Sequence, residues 1–278
     1  MLSYRHSFHA GNFADVIKHI VLIEILESLT QKDKPFDYID THSGAGIFNL
    51  KSGDALKLQE HATGIDKLKP KQFPELKSYF DTVKAHNPSP KVSVYPGSPA
   101  IAKHYLRPKD RGWMFELHPK DYQSLSNNMK TSRKIRVTCD DGLKKLDSLL
   151  PPTSRRGLVL IDPSYEVKFE YDQVIKTVVN AHKRFATGTY AIWYPVIDRK
   201  TIERMEAKLV RSGIKNIQRF ELGVAPDSAE RGMTSSGMFV INPPWKLMQT
   251  MTSLLPRLAE TLSQEGPAQF KCDTLVKE

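Results

Sequence analysis

The stretch Gly157-Leu-Val-Leu-Ile-Asp-Pro-Ser-Tyr165 decides how this 278-residue sequence is interpreted. Its apolar run is bounded by Gly157 and Pro163, a pattern that predicts a short buried strand. The polar residues that follow then lie at the carboxyl end of that strand, where open α/β sheets place their functional groups. We therefore predict that Asp162 and its neighbours belong to a functional site.

The composition indicates a soluble globular protein with a polyanionic partner. Hydrophobic residues make up 40% of the chain, charged residues make up 26%, and the formal net charge is +10. A basic protein gains affinity by displacing counterions from phosphates, so nucleic acid is the first expected partner, and a merely basic enzyme is the alternative. The two cysteines lie in dissimilar contexts and no Cys/His cluster has zinc spacing, so we expect no disulfide framework and no metal. Because the sequence shows neither a signal core nor a membrane-length apolar run, we expect a cytoplasmic protein, and by default a monomer.

The amino-terminal residues mix aromatic and titratable side chains, namely Tyr4, Arg5, His6, Phe8 and His9. Such a segment suits stacking on bases and contact with phosphates, and it equally suits a packed terminal arm. A helix is predicted to follow, capped by Asn12 and ending near Leu29. His19 lies on the apolar face of that helix and Lys18 lies off it. A single histidine on an apolar face is more often a core residue than a ligand.

A glycine-containing turn follows the strand predicted from Phe36 to Asp40. Asp40, Gly44 and Gly46 match the D-x-x-x-G-x-G pattern of enzymes that bind S-adenosylmethionine (SAM). The glycines allow a tight turn and a close approach of the backbone to the ligand. A dinucleotide-binding turn would have a third glycine where Asn49 stands, so that alternative is disfavoured.

Acidic residues follow two further predicted strands. Glu116 ends the strand from Trp113 to Leu117, and Asp140-Asp141-Gly142 follows the strand from Ile135 to Thr138. One acid at such a position can accept hydrogen bonds from ribose hydroxyls, and another can accept from an adenine amino group. Each acid alone is equally compatible with a helix cap or a solvated turn, but their serial placement favours a cofactor site.

The whole pattern predicts a Rossmann-like α/β fold with a mostly parallel sheet of about seven strands. The remaining elements are predicted at about 171–185 (helix), 189–194 (strand), 199–212 (helix), 217–224 (strand) and 237–241 (strand). The last two strands have no helix between them and are predicted to form a terminal antiparallel hairpin. Residues 50–96 lack buried strands and carry short amphipathic helices, so we interpret them as a helical insertion between 1–49 and 97–278.

A second stretch, Asn242-Pro-Pro-Trp245, competes with Asp162-Pro-Ser-Tyr165. Both resemble the Asp-Pro-Pro-Tyr signature of methyltransferases that modify exocyclic amino groups, and the second matches it better letter for letter. The signature belongs after the fourth strand of the sheet, whereas Asn242 follows the predicted terminal hairpin. Prolines at that place also have a structural explanation, because they stop strand pairing. We therefore rank Asp162 first.

The chemistry of such a site depends on how an aromatic amine is held, because delocalisation of its lone pair makes it a poor nucleophile. We expect the Asp162 carboxylate to accept one amino hydrogen, the Pro163 carbonyl to accept the other, and Tyr165 to stack on the base. A methyl donor opposite the amine then permits in-line displacement without a metal. Ser164 replaces the second proline of the signature and restores a free torsion, from which we expect a modest loss of rate.

Nearly the whole sequence resembles the ribosomal large subunit methyltransferase J family. Matching stretches include Tyr4-Arg-His-Ser-Phe-His-Ala-Gly-Asn12, Asp40-Thr-His-Ser-Gly-Ala-Gly46, Tyr95-Pro-Gly-Ser98, Glu116-Leu-His-Pro119, Asp162-Pro-Ser-Tyr165, Trp193-Tyr-Pro195, Arg231-Gly-Met-Thr234 and Ile241-Asn-Pro-Pro-Trp-Lys-Leu247. The resemblance implies a SAM-dependent fold with a helical insertion, and methylation of adenine N6 in 23S rRNA that is protein-free or in an early precursor.

The resemblance also implies roles for individual residues. Cofactor contacts are implied for His19, His42, Ser98, Glu116, Asp141, Gly142 and Asp162, beside Gly44 and Gly46 from the turn pattern. The RNA-facing side is implied to carry Tyr4, His6 and Lys18. Two alternatives stay open at this point: another amino-group methyltransferase acting on rRNA guanine N2 or DNA adenine, and a non-catalytic RNA-binding relative.

Overall fold

The stretch that begins at Gly157 forms a fully buried strand near the middle of the sheet in a computed structural model of the chain. The structure describes residues 6–89, 91–130, 132–228 and 232–278. The strands are β1 (Asp37–Asp40), β2 (Ile47–Asn49), β3 (Val94–Pro96), β4 (Arg111–Phe115), β5 (Ile135–Thr138), β6 (Gly157–Ile161), β7 (Thr189–Val196), β8 (Ile217–Gly223), β9 (Ser235–Ile241) and β10 (Gln269–Val276). The helices are α1 (Phe13–Gln31), α2 (Gly53–Leu58), α3 (Lys77–Lys84), α4 (Ser98–Tyr105), α5 (Pro119–Met129), α6 (Gly142–Leu149), α7 (Phe169–Arg184), α8 (Arg199–Arg211) and α9 (Leu247–Leu262).

Eight of these strands form one mixed sheet in the order β10-β8-β9-β7-β6-β1-β4-β5. The strands from β5 to β7 in this order are parallel, whereas β9 runs antiparallel to both β7 and β8. The predicted α/β fold and the terminal hairpin are therefore confirmed. The sheet has one strand more than the seven expected, because α9 and β10 follow the hairpin and β10 pairs with β8 at the edge.

Helix α1 packs against the sheet and is buried along most of its length. Asn12 caps it as expected, since its Oδ1 accepts a hydrogen bond of 2.9 Å from the Asp15 amide. Ile17, Val21 and Leu22 are completely buried in the core. Within the described residues, neither this helix nor any other combines the length and the apolar content needed to cross a membrane.

The segment between the first strand of the sheet and β4 contains the predicted helical region. Strands β2 and β3 pair antiparallel and enclose α2, α3 and three short 3-10 helices (Glu60–Thr63, Ile65–Lys67 and Pro74–Leu76). Its apolar side chains, among them Phe73 and Tyr79, belong to the same hydrophobic core as the sheet. The division of the chain at residues 50 and 96 stays a prediction.

The sheet has two functionally different edges. We call the end where β1, β4, β5, β6 and β7 finish the carboxyl edge, and the end where these strands begin the amino edge. Asp162 follows β6 at the carboxyl edge. Asn242 follows β9, whose last residue pairs with Tyr190 near the start of β7, so Asn242 lies at the amino edge. There its side-chain amide donates to the carbonyls of Ala186 and Gly188, at 2.8 Å each.

Candidate active site

A cavity of about 620 Å³ opens at the carboxyl edge of the sheet. It is lined by most of the residues predicted for the site: His6, Lys18, His19, His42, Gly44, Ser98, Glu116, Asp141, Gly142, Asp162, Pro163 and Tyr165. Gly46 is not part of the lining, and Tyr4 lies outside the described residues. Gly46 shapes the turn instead, because its φ is +76° and a Cβ there would lie 2.9 Å from Leu125 Cδ1.

A buried ion cluster forms one wall of this cavity. Lys18 Nζ lies 2.6 Å from Asp162 Oδ2 and 2.9 Å from Asp15 Oδ1. The other oxygen of Asp15 accepts a hydrogen bond from the Gly11 amide and lies 2.9 Å from His6 Nε2. Because the side chains of Lys18 and Asp15 are 4% and 1% exposed, protein groups replace the water that would otherwise solvate these charges.

Each charged group in this cluster stabilises the charged form of its neighbour. Burial raises the pKa of Asp162 to about 6, although the adjacent Lys18 ammonium acts in the opposite direction. Burial would lower the pKa of Lys18, but the Asp15 and Asp162 carboxylates outweigh it and raise that pKa. The pKa of Asp15 is held well below its ordinary value, because His6 and Lys18 outweigh its burial. At neutral pH the cluster thus holds a charged lysine beside a mostly ionised Asp162.

Glu116 organises the opposite end of the cavity. Its Oε2 accepts a hydrogen bond of 2.7 Å from the Gly44 amide, and its Oε1 accepts one of 2.7 Å from the His118 amide. Each oxygen keeps a further lone pair for a ligand hydroxyl. Burial raises the pKa of this carboxyl. The side chain therefore ties the loop after β1 to the end of β4 and can still accept from a ribose.

Asp141 and Gly142 begin α6 beside the end of β1. Asp141 Oδ1 accepts hydrogen bonds from the amides of Leu143 and Lys144, at 3.1 and 3.2 Å. A Cβ at Gly142 would lie 2.3 Å from the Thr41 carbonyl oxygen, so only glycine permits this close approach. Gly142 thus lets the start of α6 lie directly against the loop after β1, and the Glu116 and Asp141 carboxylates that line the cavity fit the ribose and adenine of SAM.

Two of the histidines that line the cavity, His19 and His42, are held neutral by burial. It lowers the pKa of His19 to about 3, and His19 Nδ1 lies 2.9 Å from the Tyr95 hydroxyl, with the two rings stacked. It lowers the pKa of His42 to about 4, and His42 Nδ1 lies 2.8 Å from Thr41 Oγ1. They therefore face the cavity as neutral rings. In the described part of the chain, no three His, Cys, Asp or Glu side chains are arranged to hold a metal ion.

Aromatic side chains form the wall beside Asp162. Tyr165 has a left-handed φ of +52°, its hydroxyl donates to the Trp193 carbonyl at 2.8 Å, and its ring stacks on Tyr171 with centroids 4.2 Å apart. Trp193 also lines the cavity, and Lys18 Nζ lies 5.7 Å from its ring centroid. The ring of Tyr165 is thus fixed in place before any ligand binds.

Sequence reasoning missed the roles of Asp15 and Trp193 in this site. An acid in the first turn of a helix ordinarily interacts with the helix dipole, so Asp15 carried no distinct signal. Trp193 lies in β7, one residue past the last pair that this strand forms with β6, and that position was the available clue.

The predicted insertion holds the amino-terminal segment over the cavity. Ser7 donates to Asp54 at 2.8 Å, and His9 Nδ1 lies 3.0 Å from Glu60 Oε1. The other oxygen of Glu60 accepts a hydrogen bond of 2.9 Å from the Asn12 side chain. These contacts join α2 and the 3-10 helix Glu60–Thr63 to residues 7–12, which lie between His6 and Asp15 of the ion cluster.

The chain is similar to known proteins in both sequence and structure. The sequence profile of the family described as "Ribosomal RNA large subunit methyltransferase D, RlmJ" matches residues 33–274. The chain is 49% identical to the ribosomal RNA large subunit methyltransferase J of Haemophilus influenzae and 49% identical to that of Escherichia coli, with full coverage of both chains in each case. A solved structure of a Legionella pneumophila protein is also similar, with a TM-score of 0.88 and 38% identity over 96% of this chain and 98% of that chain.

Proposed function

This chain belongs to the ribosomal RNA large subunit methyltransferase J family, and from that premise we propose that it transfers a methyl group from SAM to the N6 amino group of an adenine in 23S rRNA. The observation that carries the proposal is the Asp162 carboxylate at the end of β6, buried beside the cavity and paired with Lys18. An ionised hydrogen-bond acceptor at that place is what an aromatic amine needs in order to present its lone pair.

Asp162 and Pro163 hold the amine in this proposal. Because Lys18 engages Oδ2 of Asp162, Oδ1 is the oxygen that accepts an amino hydrogen, and the Pro163 carbonyl accepts the second. With a pKa of about 6, the carboxylate can also take up the proton that the nitrogen releases after methylation. Lys18 stabilises the ionised form of Asp162 and fixes its orientation.

Tyr165 and Trp193 bind the base. A base can enter the cavity only when it has left its stack, and aromatic rings offset part of that cost. Tyr165 contributes a ring already immobilised by its hydrogen bond and by Tyr171, so little side-chain entropy is lost on binding.

The cofactor end of the cavity binds SAM, which supplies an electrophilic methyl group when bound. Glu116 accepts from the ribose hydroxyls, and Asp141 accepts from the adenine amino group. His19, His42 and Ser98 complete this end as neutral groups, Gly44 lets the backbone approach the ligand, and Gly142 lets α6 lie against the Thr41 backbone. We extend the proposal to a cytoplasmic monomer whose substrate is protein-free or early precursor rRNA, in which the target base is still accessible.

Nucleoside analysis after methyl transfer tests this function. The purified chain is incubated with SAM and protein-free 23S rRNA fragments, and the product nucleosides are identified by mass spectrometry. We expect N6-methyladenosine from the parent and from Asn242→Ala, and none from folded Asp162→Asn. Detection of N2-methylguanosine would assign a different base. RNA binding without SAM binding in calorimetry would identify a non-catalytic relative, and loss of transfer in Asn242→Ala alone would overturn the assignment of Asp162.

A further inference from the structure

Charge is distributed unequally between the two edges of the sheet. Among the described residues that line the cavity, eight are carboxylic acids and one is a lysine, Lys18. The acids reach the mouth, where Glu166 and Glu170 follow the Asp162 loop. The described residues of this rim therefore repel phosphate groups and contribute little to the affinity for an RNA backbone.

The amino edge has the opposite composition. Four loops lead into the adjacent parallel strands β1, β4, β5 and β6, and they meet there because these strands share one direction. In the described residues of loops 32–37, 107–111, 132–134 and 154–157, nine cations accompany three carboxylates. The cations are Lys32, Lys34, Arg107, Lys109, Arg111, Arg133, Lys134, Arg155 and Arg156. We call these nine residues the basic edge.

Two arginines connect the loops of the basic edge by hydrogen bonds. Arg107 donates to the carbonyls of Lys32 and Lys34 at 2.8 and 2.9 Å, and it pairs with the buried Asp110. Arg156 donates to the same Lys34 carbonyl at 2.7 Å. Burial lowers the pKa of Arg156, and the neighbouring Arg107 charge acts in the same direction, so the two guanidinium groups lie close enough to repel each other. An external anion would relieve this repulsion.

Other side chains of the basic edge face solvent. Lys32, Lys34, Arg111, Arg133 and Arg155 are all exposed. Further along the same edge, past β7, the ring of Trp245 is 78% exposed, and Lys246 Nζ lies 5.1 Å from its centroid. Lysines, arginines and exposed aromatic rings along one edge are the side chains that bind RNA backbones and unstacked bases.

We propose that the basic edge is a second RNA-binding surface, which holds the phosphate backbone of the substrate away from the target base. The identity of that RNA rests on the function proposed above. Strands of four or five residues separate the two edges by on the order of 15 Å before the loops are added. An RNA that extends well beyond the target base can therefore engage both edges, whereas a short RNA in the cavity engages one.

Binding measurements on two RNAs test the proposal. The edge variant combines Lys34→Gln, Arg111→Gln and Arg155→Gln, none of which lines the cavity. Its Kd is measured without SAM for a long 23S rRNA fragment and for a short hairpin with the target adenine, over a range of salt concentrations. For the long fragment we expect at least about tenfold weaker binding and a salt dependence reduced by roughly one unit of slope per cation removed. For the hairpin we expect the Kd and the methylation rate to stay within about twofold of the parent.

A matched control separates position from net charge. Lys71→Gln, Lys84→Gln and Lys176→Gln remove three other exposed cations that lie off the basic edge. We expect this control to bind the long fragment within about twofold of the parent. Equal binding of the long fragment by parent and edge variant would overturn the proposal, as would equal losses for both RNAs or for both variants. A parent that binds both RNAs and methylates neither would instead refute the proposed function, and the binding comparison would still stand.

Discussion

Replacing Lys18 with methionine is expected to abolish most methyl transfer at neutral pH and to restore part of it at alkaline pH. With Lys18 present, the pKa of Asp162 is about 6, and the carboxyl is about nine-tenths ionised at pH 7. An opposite charge at this distance ordinarily lowers a carboxyl pKa by about 1–3 units, so its loss places that pKa at about 7–9. The ionised fraction at pH 7 then falls to between about one half and one hundredth.

The assay is the rate of methyl transfer to one rRNA fragment between pH 5 and pH 9. The parent rate is expected to fall below about pH 6, and the variant rate should begin to fall at higher pH. Asp162→Asn should show no methyl transfer at any pH in this range. His6→Gln removes the partner of Asp15 and tests whether the parent profile depends on that pair.

Stability must be followed at each pH, because the same titration is linked to folding. The folded-state pKa of Asp162 lies above its ordinary value of 3.8, so its stabilising contribution is present at low pH and is lost as the pH rises through about 6. In Lys18→Met, this contribution of Asp162 to stability is lost at a higher pH than in the parent. If the folded variant keeps the parent midpoint, or shows no recovery up to pH 9, Lys18 does not maintain the ionisation of Asp162.

Three further substitutions have defined outcomes. Gly142→Ala places a methyl group 2.3 Å from the Thr41 carbonyl oxygen, and we expect it to weaken SAM binding in calorimetry by roughly tenfold or more; parent-like affinity would contradict this. Asn242→Ala removes two hydrogen bonds to carbonyls and should lower the free energy of unfolding by about 1–3 kcal/mol in denaturant titrations without changing kcat. Ser164→Pro should stiffen the loop after Asp162 and raise kcat modestly, so an unchanged or lower kcat would count against that account.

The site could be predicted from the sequence wherever a short apolar strand ends in a polar residue. Glu116, Asp141 and Asp162 follow β4, β5 and β6, and parallel strands bring their carboxyl ends to one edge. The same argument from sheet topology placed Asn242 outside the site, although Asn242-Pro-Pro-Trp245 matches the methyltransferase signature better letter for letter. Local pattern and strand direction sufficed for these positions.

Other features depended on packing that no local pattern reveals. The contact between Lys18 and Asp162 joins residues 144 positions apart, and it forms only because α1 lies across the sheet. Strand β10 escaped prediction because it is a half-exposed edge strand, without the continuous apolar run that marked β6. Glu60 gave no signal either, since its partner His9 lies on the other side of α1 in the chain.

The position of helix α1 limits which substitutions can change the activity of this enzyme without lowering its stability. Its middle is sealed in the core, and its first two turns carry Asp15, Lys18 and His19. A substitution that loosens this helix will therefore resemble a catalytic defect, and a new activity selected there will tend to lower stability. Altered substrate preference is more accessible through the exposed residues 166–168 after the Asp162 loop and 197–198 after β7, where side chains can vary without disturbing the helix that holds the charges.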